Sequence, residues 1–316
     1  MPEVSVIIPL YNKGKYIGRA LSSVFGQTYR DFEVIVVDDG STDNGPELVQ
    51  ACEDPRLRIV RQANQGPGAA RNRGIRESTS PLVAFLDADD EWMPGYLERT
   101  VGALNDHPQC DAATSACIFG TETGGVSHFR QLGLTEGPWS IDLYHGDRGL
   151  RDITYIIHSM TTVCRRSIVE KYGGFYEKDR CTYGEDRYLW LPVLFNHRIY
   201  IIMEPLGWYH QEASELGVKR ANQRPLEPVF TDPEPIRHHC LPERRHLLER
   251  SLARYALATA HDLAAVGDTE RAVWLVRHFP VMRRFGWEYA KLRVKLFTPG
   301  MVPWVRNLKN LLKRVR

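Results

Sequence analysis

Short apolar runs alternate with amphipathic stretches along the N-terminal third of the chain. The apolar runs are VSVIIPL (4–10), FEVIVVDDGS (32–41), LRIV (57–60) and LVAFL (82–86). Each is followed by a stretch with helical spacing, near residues 15–25, 45–52, 69–77 and 94–104. Strands joined by helical crossovers of this length predict βαβ units, and therefore an α/β fold with a mostly parallel sheet. Ligands of such sheets bind beyond the carboxyl ends of the strands.

The rest of the chain divides by composition. Residues 111–150 have little periodicity, and we predict one strand, DAATSACIF, with loop around it. Patterns typical of strands and helices return over residues 160–210, so we assign residues 1–220 to a catalytic domain. The proline-rich segment 221–242 is predicted to be a linker or a strap over the surface. Residues 243–316 are predicted to form a basic helical C-terminal region, beginning with a helical hairpin over 243–279 in which Asp268 is an N-cap.

Overall composition limits the protein class. With 43% hydrophobic residues, the 316-residue chain can build a substantial core. Its 41 basic and 39 acidic residues nearly cancel, so the total charge predicts no affinity for nucleic acid. The six cysteines include no C-x-x-C pair, which is typical of reduced thiols in a cytosol. We find no leader pattern and no apolar run long enough to span a membrane, and we expect a cytoplasmic protein.

Acidic side chains follow two of the predicted strands. Asp38 and Asp39 follow the second, and Asp87, Asp89 and Asp90 follow the fourth. In a parallel sheet these ends meet at one edge, where their repulsion must be compensated by water, helix N-termini or a cation. Mn²⁺ and Mg²⁺ prefer oxygen ligands and bridge carboxylates to diphosphates. The alternative is that these aspartates only cap helices in solvated loops.

A glycine-rich loop, NQGPGAARNRG (64–74), follows the third strand. It differs from a dinucleotide fingerprint because Arg71 stands where the third glycine belongs and because the loop does not follow the first strand. We therefore reject an NAD site. Arg71 and Arg73 at a helix N-terminus can donate to a phosphate or a base, and the alternative is a plain surface turn.

Five segments in order, VSVIIPLYN, VIVVDDGSTD, NQGPGAARNRG, VAFLDADDEW and YGEDRYLWL, resemble the family 2 glycosyltransferases with the GT-A fold over residues 3–210. The resemblance implies a nucleotide-sugar donor, most often a UDP-sugar, a divalent metal (Mn²⁺ or Mg²⁺), and transfer with inversion at the anomeric carbon. The chain lacks the Q-x-x-R-W segment and the membrane helices of chain-building members, which favours the addition of a single sugar to a glycan or lipid-linked glycan.

The resemblance also implies roles for particular residues. The nucleotide pocket would be lined by Pro9, Tyr11, Asp38, Asp39 and Arg71. Asp87 would lie near the ribose and Asp89 would hold the metal. In the segment GEDRYLW, inversion requires one carboxylate on the acceptor side, and we predict Asp186 with Glu185 as the alternative. His210 is predicted to bind the metal or the diphosphate, although a plain half-buried histidine is an equal alternative.

Basic residues far outnumber acidic residues at the C-terminus. Residues 277–316 hold eleven Lys or Arg and one acid, Glu288, and residues 304–315 carry an apolar face that includes Trp304. Such helices can lie on an anionic membrane surface at its inner face, or they can pack on the catalytic domain.

Two other functions stay open. A sugar-phosphate nucleotidyltransferase is disfavoured because the first strand lacks a Gly-rich loop, and a non-catalytic nucleotide-binding scaffold would bind nucleotide without turnover.

Overall fold

One sheet organises the protein. The computed structural model describes residues 1–119, 124–143, 149–213 and 224–297. Within these ranges the strands run in the order β3-β2-β1-β4-β8-β6-β9-β5, with β7 paired to β9. They are β1 (Val4–Leu10), β2 (Phe32–Asp38), β3 (Leu57–Arg61), β4 (Leu82–Phe85), β5 (Glu91–Trp92), β6 (Ala112–Phe119), β7 (Gly137–Trp139), β8 (Thr162–Arg165) and β9 (Ile199–Tyr209).

The half of the sheet that carries the acidic strand ends is parallel, as the sequence predicts. β1 pairs with β2 from Val4↔Phe32 to Leu10↔Asp38, and it pairs with β4 on its other side. β8 is antiparallel to both β4 and β6, whereas β6 and β9 are again parallel. Helices cover both faces of β1 and β4, which explains why these strands are largely apolar rather than alternating; the one polar side chain, the buried Ser5, donates to Glu33.

The helices that follow the first four strands agree with the predicted spans. They are α1 (Gly14–Phe25), α2 (Gly45–Gln50), α3 (Pro67–Glu77) and α4 (Tyr96–Asp106). α1 buries Ile17, Leu21 and Val24, whose spacing places them on one helical face against the sheet. The prediction of loop around β6 is wrong, because α5 (Gly124–Gln131) and β7 lie there and bury Phe129 and Trp139. Both elements are too short for a periodic signal.

The helices of the second half begin with α6 (Arg166–Lys171) and α7 (Glu185–Asn196), which flank the sheet. Next come α8 (Pro228–Thr231), α9 (Glu234–His239), α10 (Arg245–Ala265), α11 (Thr269–His278) and α12 (Gly286–Phe297). The predicted hairpin is confirmed as α10 and α11, and Asp268 accepts a hydrogen bond from the backbone N–H of Arg271 as N-cap. No described helix is both long and apolar enough to cross a membrane.

The segment predicted to be a linker contributes to the core. Val229 and Phe230 of α8 and Ile236 of α9 are buried in the same apolar cluster as α7 and α10. The division of the chain into a catalytic domain, a linker and a helical region stays a prediction. The amphipathic stretch predicted over 304–315 lies outside the described residues.

Candidate active site

A cavity of about 450 Å³ opens at the carboxyl ends of β1, β2 and β4. This volume is within the range of small-molecule sites. The parallel register brings the ends of these strands together, so residues far apart in sequence share one wall. Of the residues predicted from sequence, the lining includes Pro9, Tyr11, Asp39, Arg71, Asp87, Asp89 and Glu185. Asp38, Asp186 and His210 lie outside this lining.

Arg71 connects the two acidic walls of the cavity. It lies on α3, and its guanidinium donates to Glu185 Oε1 at 2.7 Å and to Asp87 Oδ1. The guanidinium also lies over the ring of Phe175, at 5.2 Å from the centroid. Burial opposes its charged form, but Asp87 and Glu185 outweigh burial and keep the pKa of Arg71 above its ordinary value. α3 packs closely against the segment that contains Tyr176. This is possible because Gly68, which has no side chain, lies against the Tyr176 carbonyl.

The acid pair at the start of α7, Glu185 and Asp186, has two different environments. Glu185 faces the cavity, and burial raises the pKa of its carboxyl to about 7 although Arg71 opposes the rise. Asp186 points elsewhere, and its Oδ1 accepts the backbone N–H of Arg187 at 2.7 Å. Burial lowers the pKa of nearby His158, and the charge of Asp186 opposes that shift. The sequence could not distinguish the two orientations, since neighbours on a helix point in different directions.

Three carboxylates crowd the end of β4. Burial, followed by the charge of Asp87, raises the pKa of Asp89. Burial and the charges of Asp87 and Asp89 raise the pKa of Asp90 well above its ordinary value. Lys13 compensates part of this charge, with its Nζ 2.8 Å from Asp89 Oδ2. Our sequence analysis missed Lys13, although its place directly after the first strand end was the available signal.

The two aspartates after β2 organise turns. Asp39 Oδ1 accepts from Gln62 Nε2 at 2.8 Å and from the backbone N–H of Gln65 at 2.9 Å, and Oδ2 accepts from the backbone N–H of Gly66 at 2.8 Å. Asp39 thereby fixes the loop before α3 against β2, and Gly66 supplies the positive φ that this loop needs. Asp38 Oδ1 accepts the Ser41 N–H at 2.9 Å. The nucleotide-binding roles of both residues stay predictions.

His210 lies at the end of β9 with both ring nitrogens facing carboxylates. Nδ1 is 3.0 Å from Glu212 Oε1, Nε2 is 3.2 Å from Glu91 Oε2, and the ring stacks on Trp208. Its backbone N–H donates to Asp90 Oδ1 at 3.0 Å. A ring nitrogen could therefore bind a metal only after one of the two glutamates withdrew, and this role of His210 stays a prediction.

The oxygen donors at the end of β4 fit a hard divalent cation. Burial and mutual repulsion disfavour the charges of Asp89 and Asp90, and a cation would relieve this repulsion. Within the described ranges, no three His, Cys, Asp or Glu side chains form a cage that could hold a metal alone. Mg²⁺-like ions commonly use only one or two carboxylates and complete their shell with water and phosphate oxygens. The residues present fit that mode of binding.

The sequence profile described as "Glycosyl transferase family 2" matches residues 5–173, more than half of the chain. The chain therefore belongs to glycosyl transferase family 2. It is 45% identical over 102 residues to an uncharacterized glycosyltransferase of Nostoc sp., covering 31% of this chain and 32% of that protein. It is 38% identical over 143 residues to the succinoglycan biosynthesis protein ExoW of Rhizobium meliloti, covering 43% of each. These matches span less than half the length of either relative.

Solved structures with the same fold are similar over most of the chain. Staphylococcus aureus TarS 1–349 in complex with UDP-GlcNAc superposes with a TM-score of 0.59 and 18% identity, covering 92% of this chain and 90% of that one. The mannosyltransferase PcManGT of Pyrobaculum calidifontis, in complex with GDP-Man and Mn2+, gives 0.50 and 22% identity, covering 96% and 87%. The predicted fold class, a GT-A fold with a mostly parallel sheet and C-terminal helices, is confirmed.

Proposed function

We propose that this chain is a metal-dependent, inverting glycosyltransferase that transfers one sugar from a UDP-sugar to a hydroxyl of a glycan or lipid-linked glycan. The observation that carries the proposal is the cavity at the ends of β1, β2 and β4, whose lining combines Asp39, Arg71, Asp87, Asp89 and Glu185. This is the edge at which ligands of α/β sheets bind. The two structural neighbours, in complex with UDP-GlcNAc and GDP-Man, support a nucleotide-sugar donor.

The donor would occupy this cavity with its base toward β1 and β2. Tyr11 is 48% exposed at the rim beside Pro9, where its ring is available to stack on a base. Asp38 and Asp39 shape the neighbouring turns, and Arg71 fixes Asp87, the residue we assign to the ribose. Lys13, which lines the same cavity, offers a positive charge to the diphosphate.

Asp89 would hold the Mn²⁺ or Mg²⁺ ion, with His210 as a second ligand. When bound, such an ion stabilises the negative charge of the departing nucleoside diphosphate. The side chains themselves arrange the charge: Lys13 forms an ion pair with Asp89, and Arg71 forms one with Asp87, at the cavity wall. The neighbour PcManGT, in complex with GDP-Man and Mn2+, supports a divalent ion.

Asp186 is our candidate for the base that accepts the proton of the acceptor hydroxyl. Glu185 is the weaker candidate, since its carboxylate is buried and its Oε1 accepts a hydrogen bond from Arg71. Asp186 is the next residue of α7, and its carboxylate is not part of the buried pair of Arg71 and Glu185. Inversion by direct displacement needs one such carboxylate opposite the leaving group.

The C-terminal helices would bring the enzyme to an anionic membrane surface on its cytoplasmic side. On α12, Trp287 is 52% exposed and Lys291 lies over its ring. Each basic residue near such a surface adds on the order of 1 kcal/mol. Flotation with liposomes containing anionic lipid tests this, using a variant that ends at Lys291. Equal binding of that variant and the full chain would contradict membrane attachment through residues 292–316.

Nucleotide binding tests the donor site directly. We would titrate UDP, GDP and dTDP by calorimetry, each with Mn²⁺ and with EDTA. Binding of one nucleotide only in the presence of metal is the expected result, and it selects the sugar nucleotides for transfer assays. If no nucleotide binds to the folded protein, the proposed donor site is refuted and a non-catalytic scaffold becomes the better hypothesis.

A further inference from the structure

A second cavity, of about 380 Å³, lies between α10 and the segments around Tyr155, Tyr183 and Glu227. Its wall combines aromatic rings with polar groups of both signs. The rings are those of Tyr155, Tyr183, Phe230 and Tyr255, and the polar side chains are those of Arg151, Arg224, Glu227, Thr259 and Asp262. None of these residues belongs to the lining of the donor cavity.

The segment that carries the acid pair separates the two cavities. Thr182 and Glu185 line the donor cavity, whereas Tyr183 lines the second cavity. Immediately after Asp186, the guanidinium of Arg187 lies 4.4 Å from the ring centroids of both Tyr155 and Tyr255. Arg187 does not line the second cavity itself, but Tyr155 and Tyr255 do, so these two rings connect the cavity to the residue that follows our candidate base.

Buried hydrogen bonds fix this wall. Glu227 is 4% exposed, it accepts from Arg187 Nη1 at 3.2 Å, and it also accepts from the hydroxyl of Tyr255. Glu227 packs directly against Gly184, where an added Cβ would lie 2.5 Å from its Cγ. These contacts join α10, the segment before α8 and the start of α7. A site whose polar groups are held in this way is preorganised for its ligand.

The chemistry of the lining suits a sugar ring. Tyrosines offer apolar ring surfaces together with hydroxyl groups, and carboxylate, guanidinium and hydroxyl side chains can pair with sugar hydroxyls as acceptors or donors. An anionic ligand fits less well, because Glu227 and Asp262 offset Arg151 and Arg224. An acyl chain fits less well, because these polar groups would lose their partners.

We infer that the second cavity is an acceptor subsite that binds a saccharide unit of the glycan acceptor, next to the segment that carries Tyr183 and Asp186. This inference rests on the proposed transferase function. The C-terminal helix α10 then supplies specificity as well as stability, since Tyr255, Thr259 and Asp262 all lie on it. Acceptor choice would be decided in part by side chains outside the family-matched residues 5–173.

Two changes on α10 test the subsite. Thr259→Trp fills the cavity, and Asp262→Asn removes a charged acceptor with almost no change in volume. Ala258→Trp is the matched control, because Ala258 lies on the same helix, is similarly half-buried and does not line this cavity. The assay measures incorporation of labelled sugar from the UDP-sugar into a membrane glycolipid extract from cells of the source organism. Melting temperature and UDP affinity with Mn²⁺ verify the fold and the donor site.

We expect Thr259→Trp to lower transfer at low extract concentration by about a hundredfold and Asp262→Asn by about tenfold, because a site built for hydroxyl groups loses affinity when its partners are removed. Ala258→Trp should stay within about twofold of the wild type, since Ala258 does not line the second cavity. UDP affinity should persist in all three variants.

If the wild type transfers sugar and both test variants equal it, the assignment of the second cavity as an acceptor subsite is wrong. If Thr259→Trp unfolds, Asp262→Asn decides alone. A wild type that binds UDP without any transfer would refute the proposed function, and the subsite with it.

Discussion

Replacement of Glu185 by glutamine should change how the stability of the protein depends on pH. The Glu185 carboxyl is buried in the wall of the donor cavity, 2.7 Å from Arg71 Nη1. Burial raises its pKa from 4.5 to about 7, even with Arg71 opposing the shift. The folded protein therefore binds a proton at Glu185 more tightly than the unfolded chain does, and a glutamine cannot bind one.

The sign and size of the effect follow from linkage. Between pH 4.5 and 7 the folded state holds more protons at this group, so the free energy of unfolding of the wild type falls as pH rises. A shift from 4.5 to about 7, at about 1.4 kcal/mol per pH unit, corresponds to about 3 kcal/mol. The contribution is fully favourable below pH 4.5 and is lost above pH 7. The Gln variant should thus gain up to about 3 kcal/mol relative to the wild type across this window.

Urea denaturation at several pH values from 4.5 to 8 measures the difference. The informative quantity is the free energy of unfolding of Glu185→Gln minus that of the wild type at each pH, because it cancels the other titrating groups. Glu170→Gln is the control, since Glu170 forms an ion pair with Arg166 on the surface helix α6 and its side chain is 50% exposed. Surface pairs of this kind contribute little. A difference for Glu185→Gln that stays constant with pH would refute the reasoning.

Three further outcomes are expected. Asp186→Asn should retain UDP affinity and lose about a hundredfold or more of its transfer rate, because the proton acceptor is removed; a wild-type rate would refute the assignment of the base. Asp89→Ala should bind UDP equally with Mn²⁺ and with EDTA, and a retained metal requirement would contradict its role as a ligand. Gly68→Ala should destabilise the fold by about 1–3 kcal/mol in thermal or urea unfolding, because the new Cβ would lie 2.3 Å from the Tyr176 carbonyl oxygen. Gly18→Ala is its control: Gly18 lies on the exposed face of α1, an added Cβ there would meet nothing within 4 Å, and alanine should stabilise the helix by about 1 kcal/mol.

Local patterns were sufficient for the N-terminal half of the fold. The apolar runs of β1, β2 and β4 predict strands because they must be covered on both faces, and the helical crossovers between them require parallel pairing. From this it followed that Asp39, Asp87 and Asp89 meet at one edge, and the structure brings them into one cavity. The ordered motifs then indicated the family, which the profile match over residues 5–173 shows.

The partners of these residues could be found only in three dimensions. Arg71 and Glu185 are 114 positions apart, and no pattern in the sequence predicts that they pair. The same holds for Lys13 with Asp89, and for the burial of α8 and α9 within a segment that composition predicted to be a linker.

Sequence by itself thus determined the strands β1 to β4 and β6, the hairpin of α10 and α11, and the side chains available for chemistry, since periodicity and residue type are local properties. Tertiary structure decided that Glu185 rather than Asp186 faces the donor cavity, and that Tyr255 of α10 donates to Glu227 beside Arg187. These facts depend on how the helices pack around the sheet. The direction of a side chain and the charge state of a buried carboxyl are set by its neighbours in space, which the order of residues along the chain does not contain.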